Sequence, residues 1–266
     1  MVYRFDPLEE NDINPVTGTA YDDAWVILRL TEDKSYETMA GGFEGSAYTI
    51  RISKLVHHDW RMAVGDFICF HENRKMNCIL VMTEEEMKES ERFCEGHRFD
   101  DTLLRPCEPN VLIHSTTLEN WEKIQSDGCL KSWNCLKRES NMHEDAPIGS
   151  VLGDPKDFRN FIMFGSGTAC EIVVNSKQSG RIVMDAQAEY LTGARLYFDA
   201  VKMAADGLLL RDGAHLKVET KLPLKPYLLF SATWENVGLP SRISTPEIFA
   251  READQCFLRD RCNRVE

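Results

Sequence analysis

The chain has 266 residues, of which 43% are hydrophobic and 28% charged, a balance typical of folded globular proteins rather than disordered ones. Its formal net charge of −12 argues against a large basic surface for nucleic acid. No apolar stretch approaches the roughly 20 residues that span a bilayer, and the acidic N-terminal segment lacks the apolar core of a signal peptide. Nine cysteines without a C-x-x-C pair predict free thiols in a reducing compartment. We therefore expect a cytoplasmic protein that does not bind membranes.

Residues 1–105 are predicted to form a small β-rich domain. Short apolar or alternating runs typical of strands occur at residues 24–30, 47–52, 67–70 and 78–82. A helix follows, with Thr83 as its N-cap and Glu86 as the reciprocal partner three residues on. The polar, proline-containing stretch 98–109 marks the end of this domain, which carries no catalytic pattern.

Residues 106–266 are predicted to form a second domain. It opens with a strand at 111–114 and a turn at 115–117. A helix follows, for which Thr116 and Glu119 have the spacing of a capping box.

The rest of the second domain reads as many short strands with brief helices. The predicted strands are 161–164, 171–174, 181–184, 195–198, 207–210, 215–218 and 227–230. A closing helix is expected from Pro246 onward, with Thr245 as its N-cap. This pattern favours an α+β fold over an alternating α/β sheet.

The segment His114-Ser115-Thr116 is the most informative part of the sequence. It places an imidazole and two hydroxyl groups at the end of a strand, where the backbone can also bind a flat amide such as nicotinamide. The next helix presents a positive N-terminus, which favours phosphate. By spacing alone, a dinucleotide site and a purely structural role for His114 stay equally open.

This segment resembles the His-Gly-Thr or His-Gly-Ser segment shared by poly(ADP-ribose) polymerases and RNA 2′-phosphotransferases, although Ser115 stands where those families have Gly. Later stretches resemble the C-terminal half of the phosphotransferase fold, namely residues 181–186, 193–198, 206–210 and 226–229. The resemblance covers about residues 110–230. It implies an ADP-ribosyltransferase-like split β-sheet domain that takes NAD as a substrate.

The resemblance also implies roles for individual residues. His114 would hold the adenosine-side ribose or the nicotinamide amide, with Ser115 and Thr116 beside it. Tyr197 is the candidate for stacking on nicotinamide. Arg138 and Arg211 are the candidates for contacting the dinucleotide phosphates.

A carboxylate is needed near the ribose, because cleavage of the nicotinamide–ribose bond develops positive charge on the sugar. Glu189, Asp212 and Glu219 are candidates, of which Glu189 and Glu219 are preferred. Gln187-x-Glu189 also resembles the Gln-x-Glu pattern of toxins with the same broad fold. The stretch 211–215 is most simply a hairpin turn, since Asp-Gly between strands is a strong turn signal.

Three hypotheses follow from these residues. The first is an enzyme that transfers ADP-ribose from NAD to a macromolecular acceptor, either protein or nucleic acid. The second is RNA 2′-phosphate transfer, which requires an Arg-His motif for which residues 96–98 are only a poor counterpart. The third is a non-catalytic module that binds ADP-ribose-like ligands or a protein. No metal is predicted, because the histidines lack partners at ligand spacing.

Overall fold

A computed structural model describes residues 1–6, 13–35, 37–44, 47–94, 99–140, 147–152, 154–165, 167–183, 185 and 187–263. The chain divides into two compact units. The first unit comprises Met1–Asp101, Gly149–Arg159 and Leu209–Leu216, and the second comprises Thr102–Ile148, Asn160–Leu208 and Lys217–Glu266. In the described part of the chain, no helix is long and apolar enough to cross a membrane.

The secondary structure of the described residues alternates short strands with helices. The strands are β1 Val2–Phe5, β2 Trp25–Thr31, β3 Thr38–Glu44, β4 Ala47–Ser53, β5 Asn77–Val81, β6 Val111–Thr116, β7 Cys129–Lys131, β8 Phe161–Met163, β9 Tyr190–Leu191, β10 Ala194–Asp199, β11 Leu209–Arg211, β12 Leu216–Glu219, β13 Lys221–Pro223, β14 Leu228–Ala232 and β15 Arg242–Ile243. The helices are α1 Trp60–Asn73, α2 Glu84–Cys94, α3 Leu118–Asp127, α4 Trp133–Ser140, α5 Ala169–Ser179, α6 Ala200–Ala205, α7 Leu224–Tyr227, α8 Trp234–Val237 and α9 Pro246–Asn263. Two 3₁₀ turns span Ile148–Leu152 and Lys156–Asn160.

The first unit is built on a five-stranded sheet of order β1-β5-β2-β4-β3. Strands β1, β5, β2 and β4 are parallel, and β3 joins β4 antiparallel at the edge. Strand β2 is buried except at Arg29 and Thr31, which are partly buried, as expected for a central strand covered on both faces. One face carries an aromatic and aliphatic cluster formed by Tyr21, Trp25, Ile27, Ala47, Ile79 and Val81.

The helix predicted after Thr83 is confirmed as α2. The Thr83 amide donates to Glu86 Oε2 at 2.7 Å, and the Glu86 amide donates to Thr83 Oγ1 at 3.3 Å. The two residues thus satisfy each other's free groups at the helix start. Glu86 also pairs with Lys54 of the neighbouring strand end.

The second unit contains several small sheets. Its three-stranded antiparallel sheet has the order β14-β10-β6. Two-stranded antiparallel sheets form between β13 and β7 and between β15 and β9, and β12 pairs antiparallel with β8. Helix α5 packs against β6, and α9 packs against β14. The chain is therefore of mixed α and β structure with several small sheets, consistent with the predicted α+β class.

Two predicted strands are wrong, because residues 67–70 lie in α1 and residues 171–174 lie in α5. In α1 the buried side chains recur at helical spacing, at Trp60, Ala63, Val64, Phe67, Phe70 and His71. An apolar run of four residues does not reveal that longer period. Residues 181–183 also lie outside any strand, and Met184 is outside the described residues.

The predicted turn at 115–117 and its capping box are displaced by one residue. Ser115 and Thr116 remain in β6, because the pairing with β10 extends to Thr116 opposite Ala194. The N-cap of α3 is instead Thr117, whose Oγ1 accepts from the Asn120 amide at 3.3 Å. The pairing requires Gly193, since a Cβ there would lie 2.1 Å from the Thr116 carbonyl oxygen.

The cap of α3 provides a test of this register. Replacing Thr117 by Val removes only the capping hydroxyl, so we expect the free energy of unfolding to fall by about 1 kcal/mol. The same replacement at Thr116 removes a hydroxyl that caps nothing, and we expect a loss below about 0.5 kcal/mol. Urea denaturation of both variants checks this. If Thr116→Val lost more stability than Thr117→Val, this register would be wrong and Thr116 would be the N-cap, as the sequence predicts.

Candidate functional site

The predicted His114, Ser115 and Thr116 group is divided between the two faces of β6. Successive strand residues point to opposite faces, so His114 and Thr116 share one face and Ser115 lies on the other. The Ser115 hydroxyl donates to Glu171 Oε1 at 2.5 Å. Ser115 therefore faces Glu171 and lies on the opposite face of β6 from the His114 imidazole.

The His114 ring is held in one tautomer. Its Nδ1 lies 3.0 Å from the Met163 carbonyl oxygen. A carbonyl can only accept a hydrogen bond, so Nδ1 carries the proton and Nε2 of the neutral ring is an acceptor. Burial lowers the pKa of His114, the hydrogen bond to Met163 opposes this, and the nearby Lys177 lowers the pKa further. Burial thus favours the neutral imidazole, in which Nε2 is the acceptor nitrogen.

Directly behind Ser115 lies a buried ion pair. Arg195 is opposite Ser115 in the ladder between β10 and β6, and its Nη1 donates to Glu171 Oε2 at 2.7 Å. Both side chains are 0% exposed. Arg195 also donates from Nε to Asp254 Oδ1 of α9 at 2.9 Å and from Nη1 to the Gly167 carbonyl at 3.0 Å.

The ion pair is stable only because its members are fully satisfied. Removing one member of a buried pair leaves an uncompensated charge in a medium that solvates it poorly. Burial raises the pKa of Glu171, and Arg195 together with the Ser115 hydroxyl opposes that rise. Sequence reasoning missed this pair. The available signal was a charged residue at the start of the apolar run 195–198, since a buried charge requires a buried partner.

Tyr197 lies on the same face as Arg195 and is part of the packing. Its hydroxyl donates to Asp254 Oδ1 at 2.7 Å. Its ring stacks on Phe257 of α9, with centroids 4.4 Å apart and planes inclined by 12°. The side chain is 2% exposed, so the ring offers no surface on which nicotinamide could stack.

The two preferred carboxylates are both exposed. Glu189 precedes β9 and accepts from Arg242 Nη1 at 3.0 Å. It follows a turn in which the Gln187 backbone amide donates to Asp185 Oδ1, so Gln187 and Glu189 do not lie together on one strand. Glu219 ends β12, opposite Phe161 of β8.

The predicted phosphate-contacting arginines are placed in different units. Arg138 is exposed on α4, and its Nε donates to the Asn134 carbonyl at 3.2 Å. Arg211 belongs to the first unit, where it is 1% exposed and donates from Nη1 to the Asp101 carbonyl at 3.1 Å. Burial of its side chain makes Arg211 a structural residue of that unit.

The predicted turn at 211–215 is confirmed and holds a histidine. Asp212 Oδ1 accepts from the backbone amides of Ala214 and His215, at 3.0 and 2.8 Å. Both Asp212 carboxylate oxygens also lie 3.2 Å from His215 Nδ1. On the other side of the ring, Nε2 is 3.4 Å from the Tyr48 hydroxyl. Asp212, His215 and Tyr48 therefore form a hydrogen-bonded chain within the first unit.

Asp154 is the second carboxyl group of this part of the first unit. Burial raises the pKa of Asp154 to about 6, and His215 opposes the rise. Its carboxylate packs against Gly149, since a Cβ on that glycine would lie 1.9 Å from Asp154 Oδ2. The group thus changes its protonation within the folded protein near pH 6.

None of the protein-family models, curated proteins or solved structures compared with this chain matches it. Across the described residues, no three His, Cys, Asp or Glu side chains are grouped so as to hold a metal ion.

Asp154 gives a prediction for the dependence of stability on pH. Its pKa is higher in the folded than in the unfolded state, so the folded protein binds the proton more tightly. The free energy of unfolding therefore decreases as the pH rises through the window between the ordinary value of 3.8 and about 6. An asparagine at this position cannot titrate, so the Asp154→Asn variant lacks this loss of stability. Relative to wild type, we expect the free energy of unfolding of Asp154→Asn to increase by about 1–2 kcal/mol between pH 4 and pH 7.

Urea denaturation at several pH values measures this difference. Asp59→Asn, at an exposed position before α1, is the control for removing a carboxylate. A constant difference between Asp154→Asn and wild type across the window would contradict the account of Asp154.

Proposed function

We propose that this chain is an NAD-dependent ADP-ribosyltransferase whose second unit has the ADP-ribosyltransferase-like split-sheet fold. The observation that carries the proposal is the neutral His114 ring, with Nδ1–H bound to Met163 and Nε2 left as an acceptor. A ribose hydroxyl or a carboxamide NH₂ can donate to that nitrogen. Thr116, on the same face of β6, supplies a hydroxyl beside it. The ligand class comes from the resemblance of residues 110–230.

The reaction requires one carboxylate near the ribose that carries nicotinamide. The C1′–N bond breaks and its electron pair leaves with nicotinamide, while the carboxylate stabilises the positive charge on the sugar. The acceptor then forms a bond to C1′ and loses a proton to a nearby base. Glu189 and Glu219 both remain candidates for the carboxylate. Their exposure supports access to a ligand.

The other predicted site residues take different parts in this proposal. Tyr197 braces the sheet against α9 through Asp254 and Phe257, and it does not stack on the ligand. Arg138 is kept as the candidate for a phosphate contact. Arg211 is left out, because its guanidinium is buried in the first unit.

The acceptor is proposed to be a macromolecule, protein or nucleic acid, in the cytoplasm. RNA 2′-phosphate transfer has less support, since it needs arginines that converge on a phosphate beside His114. Arg195 is already bound to Glu171 and Asp254, and residues 96–98 lie outside the described residues. A non-catalytic module that binds the same ligand is separated from the enzyme by the test below.

We expect NAD to bind the wild-type protein and to release nicotinamide slowly. His114→Ala removes the acceptor nitrogen, so we expect affinity to fall at least about tenfold, the effect of losing one well-placed hydrogen bond to a buried group. Calorimetric titration and a nicotinamide assay measure the two effects. His58→Ala, an exposed histidine of the first unit, serves as the control.

The catalytic carboxylate is identified by Glu189→Gln and Glu219→Gln. One of the two is expected to slow nicotinamide release by about 100-fold or more while changing NAD affinity little, because the lost charge acts mainly on the transition state. Binding without any turnover in the wild type would make the protein a binding module. Failure of the wild type to bind NAD would contradict the proposal as a whole.

A further inference from the structure

The Glu171–Arg195 ion pair contacts both of the structural features that fix His114. One contact runs through Ser115, the next residue of β6. The other runs through the last residue of β8 and the residues after it, which we call the brace and define as Met163, Phe164, Gly165 and Gly167. The two routes start from the two members of the pair, Glu171 and Arg195 respectively.

The first route anchors the strand next to His114. The Ser115 hydroxyl donates to Glu171 Oε1 at 2.5 Å, while the second carboxylate oxygen accepts from Arg195 at 2.7 Å. Glu171 therefore ties β6 to α5 at the residue that follows His114. Both carboxylate oxygens of Glu171 therefore accept a hydrogen bond.

The second route anchors the carbonyl that selects the tautomer. Arg195 Nη1 donates to the Gly167 carbonyl at 3.0 Å. The Gly165 amide donates to the Ile113 carbonyl, also at 3.0 Å. The brace is thus tied to β10 and β6 at two points, and Met163 at its start accepts from His114 Nδ1.

From these contacts we propose that Glu171 and Arg195 are positioning residues that hold His114 in its Nδ1–H tautomer and so keep Nε2 as the acceptor for the ligand. This role rests on the proposed function only for the identity of the ligand. If the brace moves, the Nε2–H tautomer becomes accessible, and that tautomer cannot accept from a ribose hydroxyl.

The test reads the tautomer of His114 directly, by ¹⁵N NMR of the imidazole in the full chain without NAD at pH 7.5. Wild type should be predominantly Nδ1–H. In Ser115→Ala we expect the ratio of the two tautomers to shift toward Nε2–H by at least about threefold, the effect of weakening one hydrogen bond of ordinary strength. Ser115→Thr keeps the hydroxyl and should restore the wild-type ratio.

Two further variants keep the test decisive. Ser176→Ala is the control, because Ser176 is a buried serine of α5, the helix that carries Glu171, but bonds to Val183 outside this network. Asp254→Asn weakens the contacts of Arg195 at a partner whose side chain is 43% exposed, and it should shift the ratio in the same direction. This variant replaces Ser115→Ala in the test if Ser115→Ala does not fold. An unchanged ratio in the folded variants overturns the proposal, and so does an equal shift in Ser176→Ala.

Measurements with NAD separate this proposal from the proposed function. If the wild type does not bind NAD but Ser115→Ala changes the tautomer, the transferase proposal fails and the positioning role stands. If NAD turns over and the tautomer stays constant in every folded variant, the positioning role fails alone. Where both hold, Ser115→Ala should raise the KM for NAD more than it lowers kcat.

Discussion

The second unit depends on the need to satisfy one buried charge. Arg195 is fully enclosed, and a guanidinium without partners in such a place would be prohibitively unfavourable. Its hydrogen bonds therefore set where Glu171 of α5, Asp254 of α9 and the carbonyl of Gly167 must lie. Two separate pieces of the chain, the segment of Gly167 and α5 and the helix α9, are placed relative to β10 by the donors of a single side chain.

This constraint also explains the arrangement of the candidate site. Because Ser115 is drawn to Glu171, the strand alternation turns His114 and Thr116 to the other face of β6. The close approach of Gly193 to Thr116 keeps β6 paired with β10 to its end. A buried polar network on one face thus fixes the position of His114 and Thr116 on the other.

Much of the fold could be predicted from the sequence where local signals were complete. The strands around residues 24–30 and 195–198, the α2 capping box and the Pro246 start of α9 are of this kind. The short apolar runs in α1 and α5 were misassigned because four residues do not show a helical period. The cap of α3 was misplaced because strand pairing with a distant segment kept Thr116 extended.

The site was less predictable, because its main interactions join residues far apart in the chain. Glu171 and Arg195 are 24 positions apart, Ser115 and Glu171 are 56 apart, and Arg195 and Asp254 are 59 apart. No local pattern reports such contacts. Sequence reasoning proposed His114 with Ser115 beside it and an open face on Tyr197, and the positions of Ser115 and Tyr197 depend on what packs behind the sheet.

The central claim is that the Glu171–Arg195 pair organises this unit, and a double-mutant cycle with Glu171→Leu, Arg195→Met and the double variant tests it most directly. Urea denaturation measures the free energy of unfolding, and hydrogen exchange of the β10 amides reports on local stability. Each single variant should lose about 3–5 kcal/mol, and the double variant should lose clearly less than the sum, because it leaves no unpaired charge on either of these two residues. Losses that are small or simply additive would contradict the account.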